Sequence, residues 1–410
     1  MFIHHLRAAA TAAAMLPVLT AAAPLTLNEA LELALKRSEA TRSARAGVAS
    51  ASEAARAAGQ LPDPTLRAGV DNLPVTGADR FSTTRESMTM KRIGIGQEWV
   101  SAEKRAARQA AADAMVGRES VSVQAAAAEV RLQTALAYLD AYYAGETLKL
   151  TTLSEHHLHE ELEAAKARLS SSAGGAQEVL ASTRARGIAE DESAEVRQQQ
   201  SAALVVLERW VGIRADELTA PVEPGAADEQ AFIANDPMVL AAQRDIELAR
   251  REATVAASNR KPNWSWEVSY GQRTGYSDMV SFGVSIPLQV APVDRQDRET
   301  SAKLALVDRA EASLAEATRA AQGEYRGLAS DTERLTDRVR RYQASVLVPT
   351  QQRSAAALAG YRSNQVTLMS LFEARHAEVE AQRKLLSLQR ELARTRAQLA
   401  FKPLVNGDAR

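Results

Sequence analysis

The chain has 410 residues, with 50 basic against 51 acidic side chains and a formal net charge of -1, which argues against a nucleic-acid binder and its basic footprint. A hydrophobic fraction of 46% is too high for intrinsic disorder, and zero cysteines exclude disulfides, thiolate metal sites, a cysteine nucleophile and a lipid-modified N-terminal cysteine. Aromatic residues make up only 4%, and alanine, a strong helix former that buries little area, supplies much of the apolar fraction. Such a composition suits long helices better than a wide globular core.

Residues 1–23 read as an export signal: Arg7 closes a short n-region, Ala8 to Thr20 is uncharged and mostly apolar, and Ala21-Ala22-Ala23 offers small residues for cleavage. Proline placement organises the rest of the chain. Val75 to Ala220 has none and Val293 to Lys402 has only Pro349, so both tracts are expected to hold very long helices. The sequence predicts a first structural repeat over 24–212, with a helix at 27–59, strands at 65–71 and 88–99, a long helix at 103–169 and a helix at 176–211. A polar connector at 213–235 leads to a second repeat over 236–400: helix 236–259, strands 264–273 and 279–288, long helix 294–360 and helix 365–400. A tail, 401–410, ends the chain. Leucines at 132, 136, 139, 150 and 153, and at 385, 388, 392 and 399, keep the 4-3 rhythm of a coiled-coil seam. SSSAGG at 170–175 and GYRSNQ at 360–365 break the two tracts.

The strands carry the sharpest physical signal. Trp264, Trp266, Val268 and Tyr270 alternate with Ser265, Glu267 and Ser269, and Val280, Phe282, Val284 and Ile286 alternate with Ser281, Gly283 and Ser285. One face is bulky and apolar while the other is small and polar. A half-buried strand of a soluble sandwich has this pattern, and so does a membrane barrel strand, apolar to lipid and polar to lumen. With four strands per chain and no helix free to cover them, the second reading is preferred, and Trp264, Trp266, Val268, Tyr270, Phe282, Val284 and Ile286 are the expected lipid-facing residues. Four strands are too few to close a barrel, so the chain is expected to oligomerise, three copies giving twelve strands.

This duplicated helix–hairpin–long helix–helix layout behind a signal peptide resembles the TolC-type outer-membrane efflux protein family over about Leu25 to Leu404. Asp71-Asn72-Leu73-Pro74, Met88-Thr89-Met90 and Gly96-Gln97-Glu98 resemble the heavy-metal (cobalt–zinc–cadmium or copper) branch. The resemblance implies a mainly α fold with a small β part: a homotrimer with a 12-stranded β-barrel in outer-membrane lipid and a 12-helix α-barrel tunnel in the periplasm of a Gram-negative bacterium. It implies a periplasmic adaptor (membrane fusion) protein and a proton-driven inner-membrane pump of the resistance-nodulation-division type as partners, with heavy-metal cations as the exported cargo. Drug efflux and protein secretion use the same fold, and a soluble periplasmic coiled-coil adaptor or scaffold is the reading from another class. At the periplasmic tip the family pairs aspartates with a tyrosine and an arginine. Aligning Tyr361 with that tyrosine puts Ser370 and Glu373 at the acid positions and Val366 at the arginine, so one carboxylate and the arginine tie are missing. Gly174 and Gly175 form the other tip turn, and a threefold ring of Glu373 is expected to favour cations.

Two further groups bear on chemistry. His156, His159, Glu160 and Glu163 share a helix face, and imidazole with carboxylate suits zinc, nickel or cobalt, although a solvated polar face has the same pattern. Met88 and Met90 offer thioethers suited to Cu(I) and point away from Ile93 and Ile95, with lumen packing the preferred role. No phosphate-binding GxxxxGK[ST] loop, HExxH or GxSxG occurs, so neither an enzyme nor a cofactor is expected.

Overall fold

The computed structural model describes residues 24–404 apart from 173, 216 and 226, so the expected signal peptide and most of the tail lie outside the described residues. Helix starts obey capping chemistry. Thr26 and Glu29 form a capping box at the head of α1 (Leu27–Arg37), satisfying backbone N–H groups that a helix leaves unpaired. The single helix expected over 27–59 is in fact two. Ser38 takes an extended backbone and its hydroxyl accepts from the Thr41 N–H, which stops α1 and starts α2 (Glu39–Ala58). After the hairpin of β1 (Thr65–Asp71) and β2 (Met90–Trp99), Ser101 caps α3 (Ala102–Ser170), 69 residues and about 100 Å long at 1.5 Å per residue. The helix α4 (Ala176–Val211) returns and ends at Gly212, which holds φ at +74°.

The connector is not wholly irregular, since Asp228 caps the short α5 (Glu229–Ala234). The second repeat then runs α6 (Pro237–Ser258), β3 (Trp264–Gln272), β4 (Met279–Ser285), α7 (Gln296–Tyr342), a π-helical turn (Gln343–Leu347), α8 (Val348–Arg362) and α9 (Leu368–Phe401). The strand expected to reach residue 288 stops three residues earlier, ahead of Pro287, which has no N–H to give a ladder. The π turn divides the expected helix 294–360. Pro349 offers no N–H to the Ser345 carbonyl, and just before it the Val348 N–H donates to the Gln343 carbonyl, five residues back.

The helix α3 is the axis of the packing, touching α1, α2, α4, α6 and α9, while α7 packs on α6 and α9. The largest core cluster lies near its middle, where Leu132, Leu136, Leu139, Leu207 and Val211 surround Tyr138. Elsewhere the seams are largely alanine: Ala114, Ala128, Ala165, Ala253 and Ala321 are buried. Small side chains let helix axes approach closely over a long contact. Arginines of α9 tie it to the first repeat through Arg375–Glu161, Arg383–Glu192 and Arg394–Asp140.

Tyr138 is fully buried, and its hydroxyl lies 2.8 Å from both the Leu25 and the Thr219 carbonyl oxygens. These belong to a short parallel bridge, Leu25 to Leu218, that joins the start of the first repeat to the connector. Burial pushes the phenol pKa up, keeping the proton that the two carbonyls share. Tyr138→Phe is expected to lower stability by about 1–2 kcal/mol, measured by urea denaturation, because the buried carbonyls lose their shared donor.

Candidate functional site

The four strands form one antiparallel sheet in the order β1-β2-β3-β4, so β1 and β4 are its open edges. The register sorts every side chain onto one of two faces. Leu66, Ile95, Val268 and Phe282 form one continuous row across the sheet, and Ala68, Ile93, Tyr270 and Val280 form the next. Gln97, Trp266 and Val284 make a third row, and Trp99 stands beside Trp264 with ring centroids 6.1 Å apart. This face is bare: Leu66 is 70% exposed, Phe282 71% and Val280 74%. Six of the seven expected apolar positions share it, with Trp266 half-buried, while Ile286 lies one residue beyond β4 and is exposed.

The opposite face is polar and partly sheltered. Thr65, Gly96, Glu267 and Gly283 form one row, and Arg67, Gly94, Ser269 and Ser281 the next. Arg67 reaches across β2 to Glu267 at 2.6 Å, and Arg92 meets Asp71 at 2.8 Å. Gly94 lies under that reach, and a Cβ there would sit 2.7 Å from Ser269 Cβ, so only glycine fits. The face encloses a concavity of about 830 Å³ whose lining includes Arg67, Glu98, Lys104, Asn263 and Glu267. Lys104 is 4% exposed; its ammonium donates to Asn263 Oδ1 at 2.8 Å, and Asn263 Nδ2 donates to Glu98 Oε1 at 2.8 Å. Burial pulls the Lys104 pKa down, with the nearby Arg108 adding to that and Glu98 opposing it. These polar contacts were missed from sequence because their partners are far apart in the chain.

The other site lies at the far end of α3. Its turn and the α8–α9 turn have the same build: Ser172 at φ +60° and Asn364 at φ +61° each sit just past a helix end, and the next helices start behind Gly175 and Thr367. Tyr361 is held by an arginine after all. Val366, at the expected arginine position, packs against Gly360, and the guanidinium comes instead from Arg168 on α3. Arg168 Nη1 donates to the Tyr361 hydroxyl at 2.8 Å and lies 3.3 Å from Glu178, while the guanidinium carbon sits 5.7 Å from the Tyr361 ring centroid. The bond to Tyr361, then the Glu178 charge, raises the Arg168 pKa further. Beneath this tie, Ala165, Leu368, Leu371 and Phe372 form a small core.

The remaining expected residues are less engaged. Ser370 is spent on the α9 cap, its N–H donating to Thr367 Oγ1 at 3.2 Å. Glu373 is exposed near the head of α9. Gly174 lies in the α3–α4 turn, where a Cβ would press on Arg168 at 3.0 Å, and Gly175 is the uncapped start of α4. His156, His159, Glu160 and Glu163 lie on an exposed face of α3, with His156 Nε2 3.4 Å from Glu160 and Glu163 turned to Lys166 at 2.8 Å. Among the described residues no three histidine, aspartate or glutamate side chains gather as a metal site.

No family model and no curated protein sequence matches the chain. Solved structures do. The CmeC outer membrane channel of Campylobacter jejuni superposes with a TM-score of 0.76 at 13% identity, covering 92% of this chain and 85% of that one. The outer membrane protein VceC of Vibrio cholerae gives 0.74 at 17% identity, covering 92% and 96%. The MtrE outer membrane channel of Neisseria gonorrhoeae, in its open state, gives 0.73 at 17% identity, covering 92% and 88%. At these identities the likeness is one of fold: a helix-rich chain with a small antiparallel sheet, built as those channels are.

Removing the phenol oxygen isolates the tie at the tip. Tyr361→Phe keeps the ring in place but loses the Arg168 bond, which is worth about 1 kcal/mol. Hydrogen exchange over 359–372 is expected to accelerate, with little change around Tyr138.

Proposed function

We propose that the chain is the outer-membrane exit duct of a tripartite efflux system, a passive channel whose cargo is heavy-metal cations. The carrying observation is the sheet: its apolar face is exposed across all four strands, while its polar face holds the ion pairs. Water disfavours such a surface, and lipid does not. The nine residues of β3 extend about 30 Å, which at a tilt near 40° is close to the ~25 Å apolar band of an outer-membrane barrel. No helix of the described residues is long and apolar enough to cross a membrane, so in this reading the sheet does the crossing.

The open edges of β1 and β4 ask for partners, because unpaired strand groups are costly in hydrocarbon. Three chains pairing β4 to β1 in a ring give twelve strands and no edge. The polar faces then line the lumen, and the helices continue it into the periplasm as a tunnel. The likeness in fold to chains named as outer membrane channels supports this reading. At the tunnel's far end an adaptor meets the two helix turns, and the inner-membrane pump supplies the energy. Parting the Arg168–Tyr361 tie is the step that lets the turns splay. The metal cargo rests on the short motifs at 71–74, 88–90 and 96–98.

Three measurements test this. Phe282→Arg, at the middle of the apolar face, is expected to cost about 2–4 kcal/mol of insertion and to lower the yield of assembled protein in the outer membrane. Ser281→Arg, on the polar face, is expected to assemble; equal assembly of both variants, or a freely soluble wild-type protein, would favour a soluble scaffold. Glu373→Lys is expected to reduce cation conductance in planar bilayers, and unchanged conductance and selectivity removes Glu373 from the gate. Deletion of the gene is expected to sensitise cells to Zn, Co, Cd, Ni, Cu or Ag salts, whereas sensitivity confined to hydrophobic drugs overturns the metal cargo.

A further inference from the structure

Past residue 24 the chain has methionines at 88, 90, 115, 238, 279 and 369, and the first two and Met279 all lie at the loop end of the sheet. Met90 opens β2 and Met279 opens β4, and the register puts both on the polar face: Met90 is paired with Asp71, and Met279 with Gly271. Gly271 lies between them. It has no side chain, and Met90 uses the room, since a Cβ built on Gly271 would overlap Met90 Sδ and come within 3.1 Å of its Cγ. Directly paired Cβ positions are about 5 Å apart, so the Met279 side chain starts about that far from the place where the Met90 sulfur rests. A methionine side chain with three rotatable bonds spans that gap readily. Two cations neighbour this place: Arg92, which pairs with Gly271 from the other side, turns its guanidinium to Asp71 at 2.8 Å, and Arg273, just past the end of β3, donates to the Ser277 carbonyl at 3.0 Å.

We propose that Met90 and Met279, facing each other across Gly271, form a thioether site for a soft monovalent cation, Cu(I) or Ag(I), on the polar face of the sheet. Thioethers are poor ligands for harder ions such as Zn(II), so the site discriminates by softness rather than by charge. Two sulfur donors suffice for an ion that accepts low coordination, and partial exposure of both residues leaves it open to exchange. The site itself rests on these side chains alone; that its ion is cargo rests on the duct reading.

The test uses the full chain purified in detergent, with Cu(I) under anaerobic reductant titrated against a chromophoric chelator, and Ag(I) by calorimetry. Wild type is expected to bind one ion per chain that Met90→Leu and Met279→Leu each weaken by about tenfold or more. Leucine fills the same space without the sulfur, so a packing role alone predicts no change. Met115→Leu and Met369→Leu are the controls and keep the affinity. Gly271→Ala, which pushes Met90 aside, is expected to weaken binding while leaving both sulfurs in the chain. Equal Cu(I) affinity in wild type and in the Met90→Leu/Met279→Leu double variant overturns the site. Conductance of the same preparations in planar bilayers keeps the two ideas apart. A chain that conducts without binding Cu(I) loses the site and keeps the duct, and one that binds Cu(I) without conducting does the reverse.

Discussion

Burying apolar surface is the main force that folds a chain in water, yet here the largest apolar side chains of the sheet are held away from the rest of the molecule. Everything else is arranged around that constraint. The helices carry their own core without the sheet, using Tyr138 and the leucines around it at mid-length and rows of alanine elsewhere. The polar face of the sheet sets its charges against one another, with Arg67 on Glu267, Arg92 beside Asp71 and Lys104 through Asn263 to Glu98. The apolar face and the two strand edges are left open, and in the proposed reading a closed barrel in lipid answers both.

The duplication has consequences of its own. The two repeats share the Pro62 and Pro262 breaks, a hairpin each and tip turns with a left-handed residue at matching places, Ser172 and Asn364. They are not equivalent where it matters most. The tip tie draws its arginine from the first repeat and its tyrosine from the second, so neither half makes it alone. The same holds at the sheet, where Arg67 and Glu267, 200 residues apart, join the two hairpins.

Much of the fold was legible because its signals are local. Alternation in 264–270 and 280–286 predicts both strands and their faces, and the absence of proline predicts α3. Contacts between residues distant in sequence carry no such mark. Arg168 could not be assigned to Tyr361, 193 residues away, and Val366 at the expected arginine position suggested that no tie existed. Some signals were present and misread. Ser38, with Glu39 and Thr41 just after it, is a capping sequence inside what looked like one helix. Pro349 was the lone proline of its tract, and its effect on the preceding turn decides the geometry of that helix.

That turn also keeps time. The residues of the second long helix that face its packed neighbours include Val339, Tyr342, Leu347, Leu358 and Tyr361, and the spacing from Tyr342 to Leu347 is five. In a regular α-helix five residues advance about 500°, which would turn Leu347 well off the stripe. The π turn absorbs one residue, about 100° of rotation, and returns the stripe to the seam. Tyr361 lies fourteen residues beyond Leu347, so the angle at which its hydroxyl meets Arg168 is fixed at the π turn, about four turns away. The phase of the far end is set in the last third of the rod.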